Sequence, residues 1–332
     1  MTHAAPSPST TTTGASGLSL NNRAKDIADD MVARAAELRV RSFVLANGAR
    51  VIDAGIDSRG GYGAGLGLAE ACMGGLGRIL YQPIEIDGES YQGVQVWTDH
   101  PAVSCMASQY AGWAIKAGEF FAMGSGPLRA HARVEKELFA KLKYQETASH
   151  GVIVLETRAH PTEDVASWIA TRCNMEPAQL TILVAPTASL AGGVQVVARI
   201  IETGLHKMDT IDFDVKRVVA GMGTAPLPAV AKSDLRAIGH TNDCILYGGR
   251  AYYVIDAEDD ELEALAAKLP ATSSSDYGTP FYDTFKRYNN DFYKIDPLLF
   301  SPAEVWLTSS TTGRTFHGGH LNGEVLKQSL FG

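Results

Sequence analysis

An α/β architecture of two intermixed domains follows from three features of the 332-residue chain. GVIVLET (151–157) and LTILVA (180–185) are short, unbroken apolar runs, the pattern of strands buried on both faces. Between them PTEDVASWIATRC opens with acidic side chains that suit a helix N-terminus. After the second run the loop PTASLAGG feeds a long helix to about Met208. Strand, helix, strand, loop and helix in that order make an α/β unit. Hairpins supply the third feature. Apolar runs flank Asn47-Gly48 and again Asp87-Gly88, dipeptides that accept the positive φ at both positions of a tight hairpin turn.

The remaining segments fit the same picture. Asn21 or Asn22 is placed to cap a helix carrying Ile27, Met31, Ala35 and Leu38 at three- and four-residue spacing. The glycine-dense stretch 58–77 reads as tight turns and close backbone packing. Helices are expected after Pro101 and Pro127, because proline suits a first helical turn. RAYYVIDA (250–257) reads as a strand and DELEALAAKL (260–269) as a solvent-facing helix. From 279 to 300 the chain is aromatic and polar without clear period (Phe281, Tyr282, Phe285, Tyr288, Phe292, Tyr293). Residues 1–20, rich in Ser, Thr, Ala and Pro, read as a disordered tail. Residues 21–332 are then one unit of two interleaved lobes, with no linker between them and no internal repeat.

Composition excludes more than it selects. A net charge of −8 argues against non-specific nucleic-acid binding, whose affinity comes from a basic field, and it is compatible with a cationic substrate. Four scattered cysteines (Cys72, Cys105, Cys173, Cys244) without CxxC spacing imply core thiols in a reducing compartment. No apolar run reaches the roughly 20 residues of a membrane span. The first 20 residues hold neither an apolar core nor a basic cluster of a secretory signal. A cytoplasmic protein is expected.

Several motifs fail on inspection. Gly63, Gly65 and Gly67 give GxGxG, but Glu70 stands where a dinucleotide fingerprint needs its third glycine, and no P-loop occurs. Ser125 in MGSGP is not a nucleophile elbow, because Met123 replaces the first glycine of GxSxG. The turn at Ser125 and Gly126 nonetheless precedes a helix start, where free N–H groups can hold an anionic or carbonyl group. Asp99, His100 and Cys105 are close in sequence, which is no mark of a catalytic set, and a core thiol is the simpler account. His317 and His320 sit in HGGH on a glycine-rich backbone without HExxH, so no metal site is expected.

The helix from about Ser189 to Met208 is different. It is apolar on most faces, yet Gln195, Arg199, Glu202 and His206 fall in a stripe about 60° wide at 100° per residue. Burying Arg and Glu is costly unless they are paired and hydrogen-bonded, so the stripe faces polar partners or a cleft. Two readings stand side by side: a structural ion pair at i, i+3, and a reacting centre. The preceding loop follows a strand end, where ligands of open α/β sheets gather. Thr187 and Ser189 are placed there to donate to a ligand, unless Ser189 merely caps the helix.

Taken together, EACMGGLG (70–77), DHPAVSCMASQYAGWAI (99–115), FFAMGSGP (120–127), LVAPTASLAGGVQVVARIIETGLHKM (183–208), GMGTAPLPAV (221–230), HTNDCILYGG (240–249) and LFSPAEV (299–305) resemble the methenyltetrahydromethanopterin cyclohydrolase family of methanogenic archaea and methylotrophic bacteria. The Ser/Thr-rich leader resembles the bacterial branch. The resemblance implies two α/β domains with a substrate cleft between them, and addition of water to the cationic N5,N10-methenyl bridge of a tetrahydromethanopterin carrier to give the N5-formyl pterin. It also implies a homotrimer with no cofactor, metal or nucleotide. The R-x-x-E pattern of that family matches Arg199 and Glu202, which makes Glu202 the water-activating base and Arg199 its electrostatic partner. Gln195, Thr187, Ser189, Ser125 and Gly126 are then the expected substrate-binding residues. Two other functions compete: a C–N hydrolase acting on another heterocycle, and a catalytically inert pterin-binding subunit.

Overall fold

A computed structural model describes residues 18–289, 291 and 294–332 of the chain. Most of the expected tail, residues 1–17, and the aromatics Phe292 and Tyr293 lie outside the described residues.

Two mixed six-stranded sheets form the two lobes. The first holds β1 (Arg41–Val44), β2 (Arg50–Asp53), β5 (Trp113–Ala117), β6 (Phe120–Ser125), β7 (Gly151–Glu156) and β8 (Leu180–Ala185), in the order β1-β2-β8-β7-β6-β5. The second holds β3 (Gly77–Ile86), β4 (Glu89–Thr98), β9 (Val218–Pro226), β10 (Arg250–Ile255), β11 (Glu304–Ser309) and β12 (Thr315–Gly319), in the order β12-β11-β10-β9-β4-β3. Strands β7 and β8 pair in parallel and are buried along almost their whole length, as their unbroken apolar runs require. The sequence therefore leaves the first sheet and returns to it, and the expected interleaving is present. The chain passes between the sheets three times: through 54–76, 99–112 and 186–217.

The helices are α1 (Leu20–Ala33), α2 (Ala35–Leu38), α3 (Tyr62–Cys72), α4 (Leu128–Ala132), α5 (Lys136–Leu142), α6 (Glu163–Arg172), α7 (Leu190–Val197), α8 (Ile200–Thr210), α9 (Asp234–Leu246), α10 (Asp259–Lys268), α11 (Phe281–Arg287) and α12 (Gly323–Phe331). A π-helix covers Ala102–Gln109. Four local expectations need correction. The cap of α1 is Ser19, whose Oγ accepts from the Asn22 N–H at 3.2 Å. Asn21 is buried inside the first turn instead, donating to the Pro127 carbonyl at 3.2 Å and accepting from the Val152 N–H at 2.9 Å. In the first hairpin only Gly48 has positive φ, and the Leu45 N–H reaches the Ala49 carbonyl across a three-residue loop. Asn47 is drawn elsewhere: its Nδ2 donates to the Glu163 carbonyl and to Ser167 Oγ on α6. The Asp87-Gly88 hairpin behaves as expected, with both residues at positive φ and ten-residue strands in register.

The third correction concerns 58–77, where Gly63, Gly65 and Gly67 lie inside α3 and not in turns. Close approach is the reason glycine is there. A Cβ on Gly65 would come within 2.7 Å of Val194 Cβ on α7, and one on Gly67 within 2.7 Å of Met31 Sδ on α1. The fourth concerns the long helix, which is two. It breaks between Val197 and Ile200, with Arg199 as the N-cap of α8. The Ala198 carbonyl accepts the Gln109 Nε2 at 3.0 Å, a side chain from the π-helix. A contact 89 positions away in sequence thus competes with the helix's own ladder.

Candidate functional site

The three passages between the lobes pack on one another and bring the polar stripe to the lobe junction. From 54–76 comes Cys72 at the end of α3; from 99–112 come Gln109 and Tyr110; from 186–217 come Gln195, Arg199, Glu202 and His206. Arg199 is 8 % exposed, and its guanidinium donates to the Gln109 carbonyl through Nη1 and to Gln195 Oε1 at 2.9 Å through Nη2. The Gln109 Oε1 is buried and has no hydrogen-bond partner among the described residues. Cys72 Sγ lies 3.6 Å from Gln195 Oε1 and 3.3 Å from Ser125 Oγ.

Glu202 is 6 % exposed, and no described residue hydrogen-bonds or forms an ion pair with its carboxylate. The structural ion pair with Arg199 is therefore absent, although both side chains are buried in the same region. Burial pushes the Glu202 pKa above the usual carboxylate range. Arg199, His206 and Arg129 pull it back from a distance, and burial wins. A buried carboxylate without donors, raised in pKa, is a stronger base than an ordinary carboxylate, which is what a proton acceptor needs.

The π-helix explains how Arg199 finds its partners. Its wide turn directs the Met106 and Ser108 carbonyls to Nη1 of the fully buried Arg129, each at 3.2 Å, while the Gln109 carbonyl takes Arg199. Arg129 is held by Glu135 at 2.8 and 3.0 Å and lies 5.0 Å from the Tyr110 ring centre. Tyr110 in turn stacks on His206 at 5.0 Å. Both rings are half-buried, and His206 stands one helical turn after Glu202 on α8.

The loop residues divide. Ser189 caps α7, accepting from the Gly192 N–H at 3.0 Å and donating to the Pro186 carbonyl at 2.7 Å. The Gly126 N–H is not free, since it donates to the Ser108 carbonyl at 2.8 Å. Ser125 is 2 % exposed and turned toward Cys72. Thr187 donates its hydroxyl to Glu156 Oε1. Thr187 lines a small pocket together with Tyr62, Gly193, Leu227, Val230 and Thr241.

Gln109, Arg129 and Glu156 were not among the residues the sequence singled out. The first two depend on the π-helix, which has no period to read. Glu156 is an ordinary strand-end acid by composition, and only its place at the carboxyl end of a parallel strand marked it. The residues of the other motifs have partners elsewhere in the fold. Cys105 is a buried core thiol whose pKa is driven well up by burial. His317 Nε2 is bound to Glu304 at 2.8 Å and its ring packs on Trp306. Among the described residues Asp53, Asp57 and His160 form one group of metal-ligand types, but Asp53 accepts four backbone N–H groups, from Gly55 to Ser58, and serves as a loop staple. No helix among the described residues is long and apolar enough to cross a membrane.

Residues 19–330 match the family model described as Cyclohydrolase (MCH). Methenyltetrahydromethanopterin cyclohydrolase of Methanococcoides burtonii is 40 % identical over 94 % of this chain and 98 % of its own length. The Methylobacterium organophilum protein of the same name is 42 % identical over 94 % of this chain and 97 % of its own. That of Rhodopirellula baltica is 44 % identical over 85 % of this chain and 86 % of its own.

Proposed function

The chain belongs to the methenyltetrahydromethanopterin cyclohydrolase family, and from that premise we propose that Glu202 is the base that activates water and Arg199 the cation that tunes and orients it. The reaction is hydrolysis of methenyltetrahydromethanopterin in one-carbon metabolism. The observation that carries the residue assignment is the buried Glu202 carboxylate, which has no protein donor and a raised pKa although Arg199 is close by.

The methenyl carbon is an amidinium and already electrophilic, so the step needs a positioned base more than a Lewis acid. Water attacks this carbon while Glu202 takes one of its protons, giving a neutral carbinolamine. The protonated Glu202 then delivers a proton to N10 as the C–N10 bond breaks, and the hydroxyl proton is lost. The formyl group remains on N5 and one proton reaches solvent overall. Arg199, fixed by Gln109 and Gln195, opposes the effect of burial and keeps Glu202 ionisable.

In this reading the substrate occupies a cleft between the lobes, the partner is a small reduced pterin, and the chain works in the cytoplasm as a homotrimer without cofactor or metal. Glu202→Gln keeps shape and removes the base. Turnover should fall by roughly 10²–10⁴-fold while substrate still binds, followed as the absorbance change of the methenyl carrier. Hydrolysis near the wild-type rate overturns the assignment.

A further inference from the structure

We propose that Glu156 reads the pterin ring itself, its carboxylate accepting the paired N3–H and 2-amino hydrogens of the 2-amino-4-oxopyrimidine. The proposal rests on the cyclohydrolase reading and adds the residue that selects its substrate class. Glu156 closes β7 beside β8, at the carboxyl ends of two parallel strands, the edge at which an open α/β sheet presents ligand groups. It is half-buried. One oxygen, Oε1, is held by the Thr187 hydroxyl, which fixes the carboxylate plane; the other has no protein hydrogen bond among the described residues. Thr187, the residue that holds Glu156, itself lines a small pocket with Tyr62, Gly193 and Leu227.

A row of contacts leads from Arg199 toward the same strand: Nη2 to Gln195 Oε1 at 2.9 Å, Gln195 Oε1 to Cys72 Sγ at 3.6 Å, and Cys72 Sγ to Ser125 Oγ at 3.3 Å, where Ser125 pairs with Val154 of β7, two residues before Glu156. One end of this row holds Arg199 for the methenyl carbon, and the other reaches the strand that ends in Glu156. A carboxylate matches two parallel N–H donors with two charge-assisted bonds, as it matches the fork of an arginine. A glutamine at this position presents an NH₂ to those donors and cannot form both.

The test uses steady-state hydrolysis of the methenyl carrier and of its analogue lacking the 2-amino group, by wild type and by Glu156→Gln. The expected result is a KM raised roughly ten- to a hundredfold in the variant with kcat little changed, the worth of a lost charge-assisted contact. Wild type should disfavour the 2-deamino analogue by a similar factor, and the variant should scarcely distinguish the two. A variant with wild-type KM, or with wild-type discrimination, overturns the role of Glu156. Should Glu156→Gln not fold, Thr187→Val serves: freeing the carboxylate should raise KM and weaken the same discrimination, and a Thr187→Val enzyme unchanged in both overturns the proposal. A wild-type protein that leaves the methenyl carrier untouched overturns the cyclohydrolase reading itself, an outcome separate from these.

Discussion

Arg199 directs its resolved hydrogen bonds to neutral partners, the Gln109 carbonyl and Gln195, and leaves Glu202 without a direct bond. That arrangement has an energetic meaning. A contact ion pair would lower the Glu202 pKa and make a weak base, whereas a cation held at a distance only moderates the effect of burial. Removing the cation leaves burial unopposed, so Arg199→Ala should raise the Glu202 pKa further. The base must be ionised to work. The acidic limb of the pH–rate profile should therefore lie above the usual carboxylate range in the wild type and move to still higher pH in Arg199→Ala. Turnover at neutral pH should fall by roughly 10²-fold or more. Combined with Glu202→Gln the two losses should not add, because the residues act as a unit. Additive effects with an unmoved acidic limb would return Arg199 to a packing role.

Packing of one element on another sets where that pair sits. Helices α3 and α7 touch through Gly65 and Val194, with no room for a Cβ between them. In an isolated helix Gly65→Ala would gain about 1 kcal/mol. Here the added methyl pushes α7 away, and a net loss of about 1–3 kcal/mol is expected from overpacking. Urea unfolding of Gly65→Ala, Val194→Ala and the double variant checks the cause. If crowding is the cause, the second substitution relieves the first and the double variant is more stable than the sum of the singles. Helices and strands of this kind differed in how far the sequence revealed them. The runs 151–157 and 180–185 were legible because strands buried on both faces have no alternation to disguise them. The break at Arg199 was not, because its cause is Gln109, far away in sequence. The stripe survived the break with its residues still gathered, while the Gln109 carbonyl that holds Arg199 could not be read from the sequence. Glycines 63 to 67 suggested close packing correctly and turns incorrectly, since composition alone does not separate a tight turn from a helix pressed against its neighbours.

Three passages between two sheets make the molecule a single interlocked body, so the protonation state of one lobe's interior is felt as stability of the whole. Asp243 on α9 is the group to watch. It is fully buried in the second lobe, accepts from the Phe281 N–H at 2.9 Å and from Ser329 Oγ on α12, and burial lifts its pKa to about 7. Unfolded, the same carboxyl titrates near 3.8. Between these values the folded chain keeps a proton that the unfolded chain has lost, so stability from this group is complete below about pH 4 and declines as pH rises to about 7. Asp243→Asn removes the titration and keeps a side-chain oxygen for Phe281, with the Ser329 hydroxyl free to turn and accept from the amide. Relative to wild type, the variant should gain stability steadily from about pH 4 to about pH 7 and hold a constant lead above that, on the order of 2–4 kcal/mol at most. Urea unfolding at intervals across this range reads the difference directly. A lead that does not change with pH means the carboxyl is already ionised in the folded protein, and a variant less stable than wild type at pH 8 means that its charge supports the docking of α12 on α9.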